Sequence, residues 1–183
     1  MTIALDGTTL LADGPDGVER HDFDSVKEAT ARAAFITEAL DWVGTPFRDC
    51  ADIKGPGGAV DCAMLLTRCA VDTGLLAPFD PRPYSPRWHL HRTEEKFITW
   101  LSGNFGAREV DSPRIGDIAV WHFGRCFSHG GILINTAEVV HAYYAAGMVL
   151  VSRRDEPMLT SIPVFGSSMP RPVRYFDLWS AVA

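Results

Sequence analysis

The hydrophobic pattern changes its period near Ile115. Upstream, apolar residues recur at helical spacing: Phe35, Ala39, Trp42 and Val43 repeat along one stretch, with Ile36 and Leu40 beside them. Ser25 and Glu28 form a Ser-x-x-Glu capping box at its head, and Gly44 and Pro46 stop it. A second helix is predicted from Cys62 to about Thr73, with Asp61 as N-cap and Gly74 as its end. A third covers roughly Thr93 to Leu101, on the strength of Phe97, Ile98, Trp100 and Leu101. Between the first two lies a loop at 45–61 containing Lys54-Gly55-Pro56-Gly57-Gly58. The segment 76–90, with Pro78, Pro81, Pro83 and Pro86 around Tyr84 and Trp88, reads as a stiff, extended connector.

Downstream, short apolar or alternating runs predict strands at Ile115–Phe123, Gly130–Asn135, Val139–Tyr144, Met148–Ser152 and Val173–Phe176. Helices first and strands after predict an α+β domain, with the helices packed on an antiparallel sheet of about five strands. Residues 1–23, with Asp-Gly steps flanking Thr8–Leu11, read as an N-terminal arm or hairpin. Residues 24–183 then form a single domain, and no internal repeat breaks it.

Composition narrows the function classes. A chain of 183 residues with 46 % apolar and 22 % charged residues has the makeup of an ordinary globular domain. The net charge is −6 and Lys and Arg are not clustered, which argues against a nucleic-acid partner. No apolar run approaches the roughly 20 residues of a membrane span. The first residues lack the cationic start and apolar run of a secretory signal, so the chain is expected to be made in the cytoplasm. The four cysteines Cys50, Cys62, Cys69 and Cys126 form no C-x-x-C pair. Cys126 and His129 make half of a zinc pattern, with no second close pair to complete it. Cys69 reads as a small buried hydrophobe.

Candidate chemistry sits at the boundary between the two periods. Cys62 opens a predicted helix behind a glycine-rich loop, where unpaired backbone N–H groups and the helix dipole favour a thiolate. His129 opens a predicted strand in Ser128-His129-Gly130-Gly131, and the two glycines leave room for a close neighbour. If Gly130–Ile134 and Glu138–Tyr143 form a hairpin with a loop at Asn135–Ala137, residue 131 faces 141. His129 and His141 then share a face as diagonal neighbours, with backbones roughly 7–8 Å apart. Nucleophile, base and orienting group each have a candidate. Glu94 and Glu95 read as a solvated face.

In order, the helix, Gly44-Thr45-Pro46-Phe47, the glycine-rich loop, Asp61-Cys62, Gly116-Asp117-Ile118-Ala119-Val120-Trp121, His129-Gly130-Gly131-Ile132 and His141-Ala142 resemble the NlpC-type cell-wall cysteine peptidases, from about Phe35 to Tyr144. The resemblance implies a papain-like fold. It also implies catalytic roles for Cys62, His129 and His141, with Phe47 and Asp61 on the substrate side. No metal or organic cofactor is implied. The implied reaction cleaves peptidoglycan stem peptides between γ-D-glutamate and a diamino acid, through a thioester, from a Cys62–His129 pair at rest as thiol and imidazole or as an ion pair. Pro83-Tyr84-Ser85-Pro86-Arg87-Trp88 resembles the subgroup encoded with phage tails and gene transfer agents, which implies tail proteins as partners and delivery on a particle to the wall. Two positions depart from the family pattern: Phe47 replaces a tyrosine, and Ala63-Met64 replace Ser-Gly, with the bulkier Met64 expected to alter substrate range. Two alternatives stay open on this fold: other thiol acyl chemistry (an amidase, an acyltransferase or a delivered toxin), or a non-enzymatic tail or assembly protein with a degenerate site.

Overall fold

The computed structural model describes residues 15–179. Its elements are α1 (Pro15–Asp41), β1 (Asp52–Ile53), β2 (Ala59–Val60), α2 (Cys62–Asp72), α3 (Trp88–His91), α4 (Lys96–Gly103) and β3 (Arg108–Val110). There follow β4 (Ile118–Phe123), β5 (Cys126–Leu133), β6 (Glu138–Tyr143), β7 (Met148–Arg153), α5 (Pro157–Thr160), β8 (Ser161–Val164), β9 (Ser167–Pro170) and β10 (Val173–Asp177). The main sheet is antiparallel, in the order β3-β10-β4-β5-β6-β7. The α+β architecture is therefore as expected, with six strands rather than five. The added strand β3 is short and carries exposed Arg108 and Glu109, so no apolar pattern marks it. The hairpin β8–β9 also went without a sequence signal.

The first helix corrects the expected start. It begins at Pro15, not at Ser25, so residues 15–23 are helical and the Ser25–Glu28 pair lies inside the helix. The Glu28 carboxylate accepts instead from Arg32 Nε at 2.7 Å, a contact between residues four apart on one helix face. The hairpin expected around Thr8–Leu11 lies outside the described residues. Phe35, Ala39 and Trp42 are buried as the spacing predicts, whereas Val43, beyond the end of the helix, is 45 % exposed.

Strand alternation gives the sheet two apolar faces. Ile118, Val120, Ile132, Val140 and Ala142 pack with the α1, α2 and α4 residues Phe35, Leu65, Leu66 and Phe97. Ala119, Trp121, Leu133 and Val139 cluster on the other face with Leu159 of α5. His129 and His141 have the parity of this second set. Gly130 is required by the packing of the first face: a Cβ there would lie 2.6 Å from the Phe97 ring and 2.8 Å from Leu66.

A buried ion cluster fastens α1 to the sheet. Arg32 Nη1 donates to Asp117 Oδ1 at 2.7 Å and to the Ile115 carbonyl at 2.6 Å, and Nη2 donates to Asp177 Oδ1 at 3.3 Å. The guanidinium lies over the Trp179 ring, 4.8 Å from its centroid. One side chain thus joins α1 to the start of β4 and the end of β10. Arg32→Met would leave Asp117 buried without its cation, while Asp177 keeps Arg114, 3.7 Å away. Urea unfolding is expected to show a loss of about 3–5 kcal/mol, the usual cost of breaking a buried pair from one side.

Candidate active site

Cys62 is the first residue of α2, and Asp61 caps that helix with extended backbone geometry. The Asp61 carboxylate accepts from Met64 N at 2.9 Å, from Cys50 N at 2.7 Å and from the Tyr84 hydroxyl at 2.6 Å. It is buried, and its oxygens face the protein. Asp61, expected on the substrate side, is almost fully buried at the cleft lining, where it holds the helix start, the preceding loop and the connector together. Burial pushes its carboxyl up, and the three hydrogen bonds pull against that.

Two features bring Cys62 to the sheet. Behind it, the glycine-rich loop closes the β1–β2 pair so tightly that a Cβ on Gly58 would lie 2.0 Å from the Ile53 carbonyl oxygen. In front of it, the β4–β5 ladder shifts register between Trp121↔His129 and His122↔Phe127, leaving Ser128 as an extra residue on β5. Such a bulge bends its strand and re-aims side chains. Here the Ser128 carbonyl comes within 3.8 Å of Cys62 Sγ, and the Ser128 hydroxyl donates to the Phe123 carbonyl at 3.0 Å. Cys62 and His129 line the same cleft, of about 490 Å³.

The hairpin register is the expected one. Ile132 pairs with Val140 and Leu133 with Val139, and Ile134 N donates to the Glu138 carbonyl. His129 and His141 are therefore diagonal neighbours, and His129 Nε2 lies 2.8 Å from His141 Nδ1. Gly131 stands opposite His141: a Cβ on it would come within 3.1 Å of the His141 Cβ and 2.7 Å of Val139. The glycine expected to leave room for a neighbour leaves it for the second ring. Beyond His141, Nε2 lies 3.0 Å from Ser152 Oγ on β7. His129 packs edge-on to Phe123, with Trp121 and Tyr143 around it.

The electrostatics favour neutral resting groups. Burial, reinforced by the Asp61 charge, pushes the Cys62 thiol up to about 12, although backbone N–H groups of Gly130, Cys62 and Ala63 oppose the shift. Burial holds His129 well below the ordinary histidine value, with His141 and Arg171 adding to the effect. Burial alone lowers His141 to about 4. Among the described residues, no carboxylate is hydrogen-bonded to either ring. Burial of both groups disfavours a separated thiolate–imidazolium pair.

The other expected residues find definite places. Phe47 lines the cleft and packs edge-on against Tyr144, with centroids 5.8 Å apart. Met64 is buried in the core and is not among the residues that line the cleft. Cys69 and Cys126 are buried, and the described residues contain no cluster suited to a metal ion. Glu95 is no solvated side chain: its carboxylate accepts from Phe127 N at 2.9 Å. The connector, expected to be extended throughout, ends in α3 (Trp88–His91), and Tyr84, Trp88 and Trp100 pack edge-on or tilted with centroids 5.4–6.3 Å apart.

Sequence reasoning missed Tyr84 and Ser152. Tyr84, from a segment more than twenty residues beyond Asp61, brings its hydroxyl to the Asp61 carboxylate. Ser152 had a faint signal, a polar residue closing the apolar run Met148–Val151 at a position that proves to be 2 % exposed.

No family model and no curated protein sequence matches the chain. Among solved structures, the peptidoglycan hydrolase RipB from Mycobacterium tuberculosis is similar, with a TM-score of 0.50 and 18 % identity over 96 % of this chain and 74 % of that one. A P60 domain from an antigen of Mycobacterium avium subspecies paratuberculosis has a TM-score of 0.48 and 18 % identity, covering 79 % of this chain and 94 % of that domain. The likeness to RipB is one of fold, and it agrees with the papain-like α+β architecture.

The lowered His141 value has a consequence for stability. Between pH 6.5 and about 4 the unfolded chain takes up a proton at this ring while the folded chain does not. Folded-state stability therefore falls as pH drops through that window, by about 3 kcal/mol from this residue. In His141→Gln, urea unfolding measured at pH 7 and pH 4.5 is expected to show a flatter dependence than in the wild type.

Proposed function

We propose that this chain is a cysteine peptidase that cleaves peptidoglycan stem peptides at the γ-D-glutamyl–diamino acid bond. The observation that carries the reading is that Cys62, at a helix start, and His129 line one cleft, with His141 hydrogen-bonded to His129 from the buried side. His129 removes the thiol proton as Cys62 Sγ attacks the amide carbon. The oxyanion is held by backbone N–H groups at the start of α2, including that of Cys62. His129 then gives its proton to the leaving amine, and water attacks the thioester with His129 again as base. His141 touches no substrate and keeps the His129 ring in place.

Two further observations support this substrate class. The cleft lining includes Asp49, Arg87 and His89, so it offers charge of both signs to a stem peptide that carries carboxylates and amines. The fold is shared with RipB, which is itself a peptidoglycan hydrolase. The proposal extends to delivery on a phage-tail-like particle acting on the wall, supported by the resemblance of residues 83–88 to the tail-encoded subgroup. The connector that contains them supplies Tyr84, Pro86, Arg87 and Trp88 to the cleft.

Mass spectrometry of tri- and tetrapeptide stems incubated with the protein is expected to show a dipeptide ending in D-glutamate. Cys62→Ala should abolish it, and His129→Ala should lower turnover by about 10²–10⁴, the usual contribution of a positioned base. Intact stems, with transfer of the acyl group to an added amine, would move the reading to other thiol acyl chemistry on this site.

A further inference from the structure

The described residues hold one polar chain that the proposed chemistry uses only in part. It runs diagonally across three adjacent strands, from His129 on β5 through His141 on β6 to Ser152 on β7. The registers create it. Leu133 pairs with Val139, and Val139 in turn with Ser152, so each polar residue is offset by one diagonal step from the last. His141 is fully buried and Ser152 nearly so.

We infer that Ser152 is a positioning residue, which accepts a hydrogen bond from His141 Nε2 and thereby fixes the tautomers of both histidines. The inference rests on His129 acting as the base toward Cys62. Nε2 of His129 is engaged by His141, so Nδ1 is the only nitrogen left to take the thiol proton. A neutral imidazole with a free lone pair on Nδ1 carries its hydrogen on Nε2. His129 Nε2 then donates to His141, whose Nδ1 must accept, and His141 in turn carries its hydrogen on Nε2. That hydrogen points at Ser152 Oγ, 3.0 Å away. The opposite order, with the serine donating, places hydrogen on Nδ1 of both rings and leaves no lone pair for the thiol. A carboxylate at this place would impose the first order by charge. Here the acceptor is an uncharged hydroxyl, so the relay carries no charge at rest.

Ser152 is therefore tested by where the protons sit, a property that a merely space-filling serine would not control. In histidine-labelled protein near neutral pH, long-range ¹H–¹⁵N correlation spectra are expected to show both His129 and His141 protonated on Nε2. Ser152→Ala should move hydrogen onto Nδ1 of one or both rings. It should also slow iodoacetamide alkylation of Cys62 by about 10- to 100-fold, the scale on which a misplaced reacting group loses rate. Ser152→Thr, which keeps the hydroxyl, should retain the wild-type tautomers and rate. A wild-type His141 protonated on Nδ1 overturns the inference, and this spectrum decides even if the alanine variant does not fold. Wild-type tautomers and rate in folded Ser152→Ala overturn it as well. Neither readout involves peptidoglycan: stems left uncut beside Ser152-dependent tautomers would sink the substrate assignment and leave the relay standing.

Discussion

The carboxylate of Asp61 accepts hydrogen bonds from three pieces of chain: the first turn of α2, the loop at Cys50 and the phenol of Tyr84 in the connector. Each hydrogen bond to a charged acceptor contributes about 1.5–3 kcal/mol, while taking an isolated charge out of water costs several. Three donors are about what it takes to keep such a group inside. The arrangement has a chemical cost, because the same charge sits next to the nucleophile and disfavours its thiolate. What it secures is geometry: the helix start that presents Cys62, and the connector that walls the cleft, both refer to one atom group.

The rest of the site is consistent with that choice. With an anion beneath the sulfur and aromatic rings around His129, separated charges are poorly solvated on both sides of the pair. The proton is then best moved at the moment of attack, and the polar chain behind the base matters for holding a lone pair ready more than for stabilising a cation. Ser128 shows how the backbone serves the same end. One extra residue in β5 shifts the ladder, sets a carbonyl beside the thiol and leaves His129 on the face where His141 waits.

Much of this was legible in the sequence, for reasons that differ by element. The hairpin that joins the two histidines could be registered because its loop is short and one face of it is strongly apolar, so a slip by one residue would have exposed Val139. The start of α2 could be placed because Asp-Cys after a glycine-rich loop is local chemistry. The start of α1 could not, since the Ser25–Glu28 spacing of a capping box recurs inside helices, and Glu28 serves Arg32 instead. Strand β3 hid because its outward charges carry no period. Asp61 was named from the sequence, but its three donors depend on contacts from Cys50 and from Tyr84, and no local pattern encodes a long-range hydrogen bond. Ser152 was visible only as a polar residue in an apolar run, whose meaning required the register of two strand pairs.

The cluster of Tyr84, Trp88 and Trp100 at the cleft wall has an optical consequence. Trp88 lines the cleft yet is only 6 % exposed, with its indole packed against Trp100 and Tyr84. Indole emission responds to the polarity and the neighbouring rings around it, so a ligand that enters the cleft and shifts the connector changes the ultraviolet fluorescence of the unmodified protein. The wall that shapes the cleft is thus also a built-in reporter of its occupancy, readable on ligands that are never turned over.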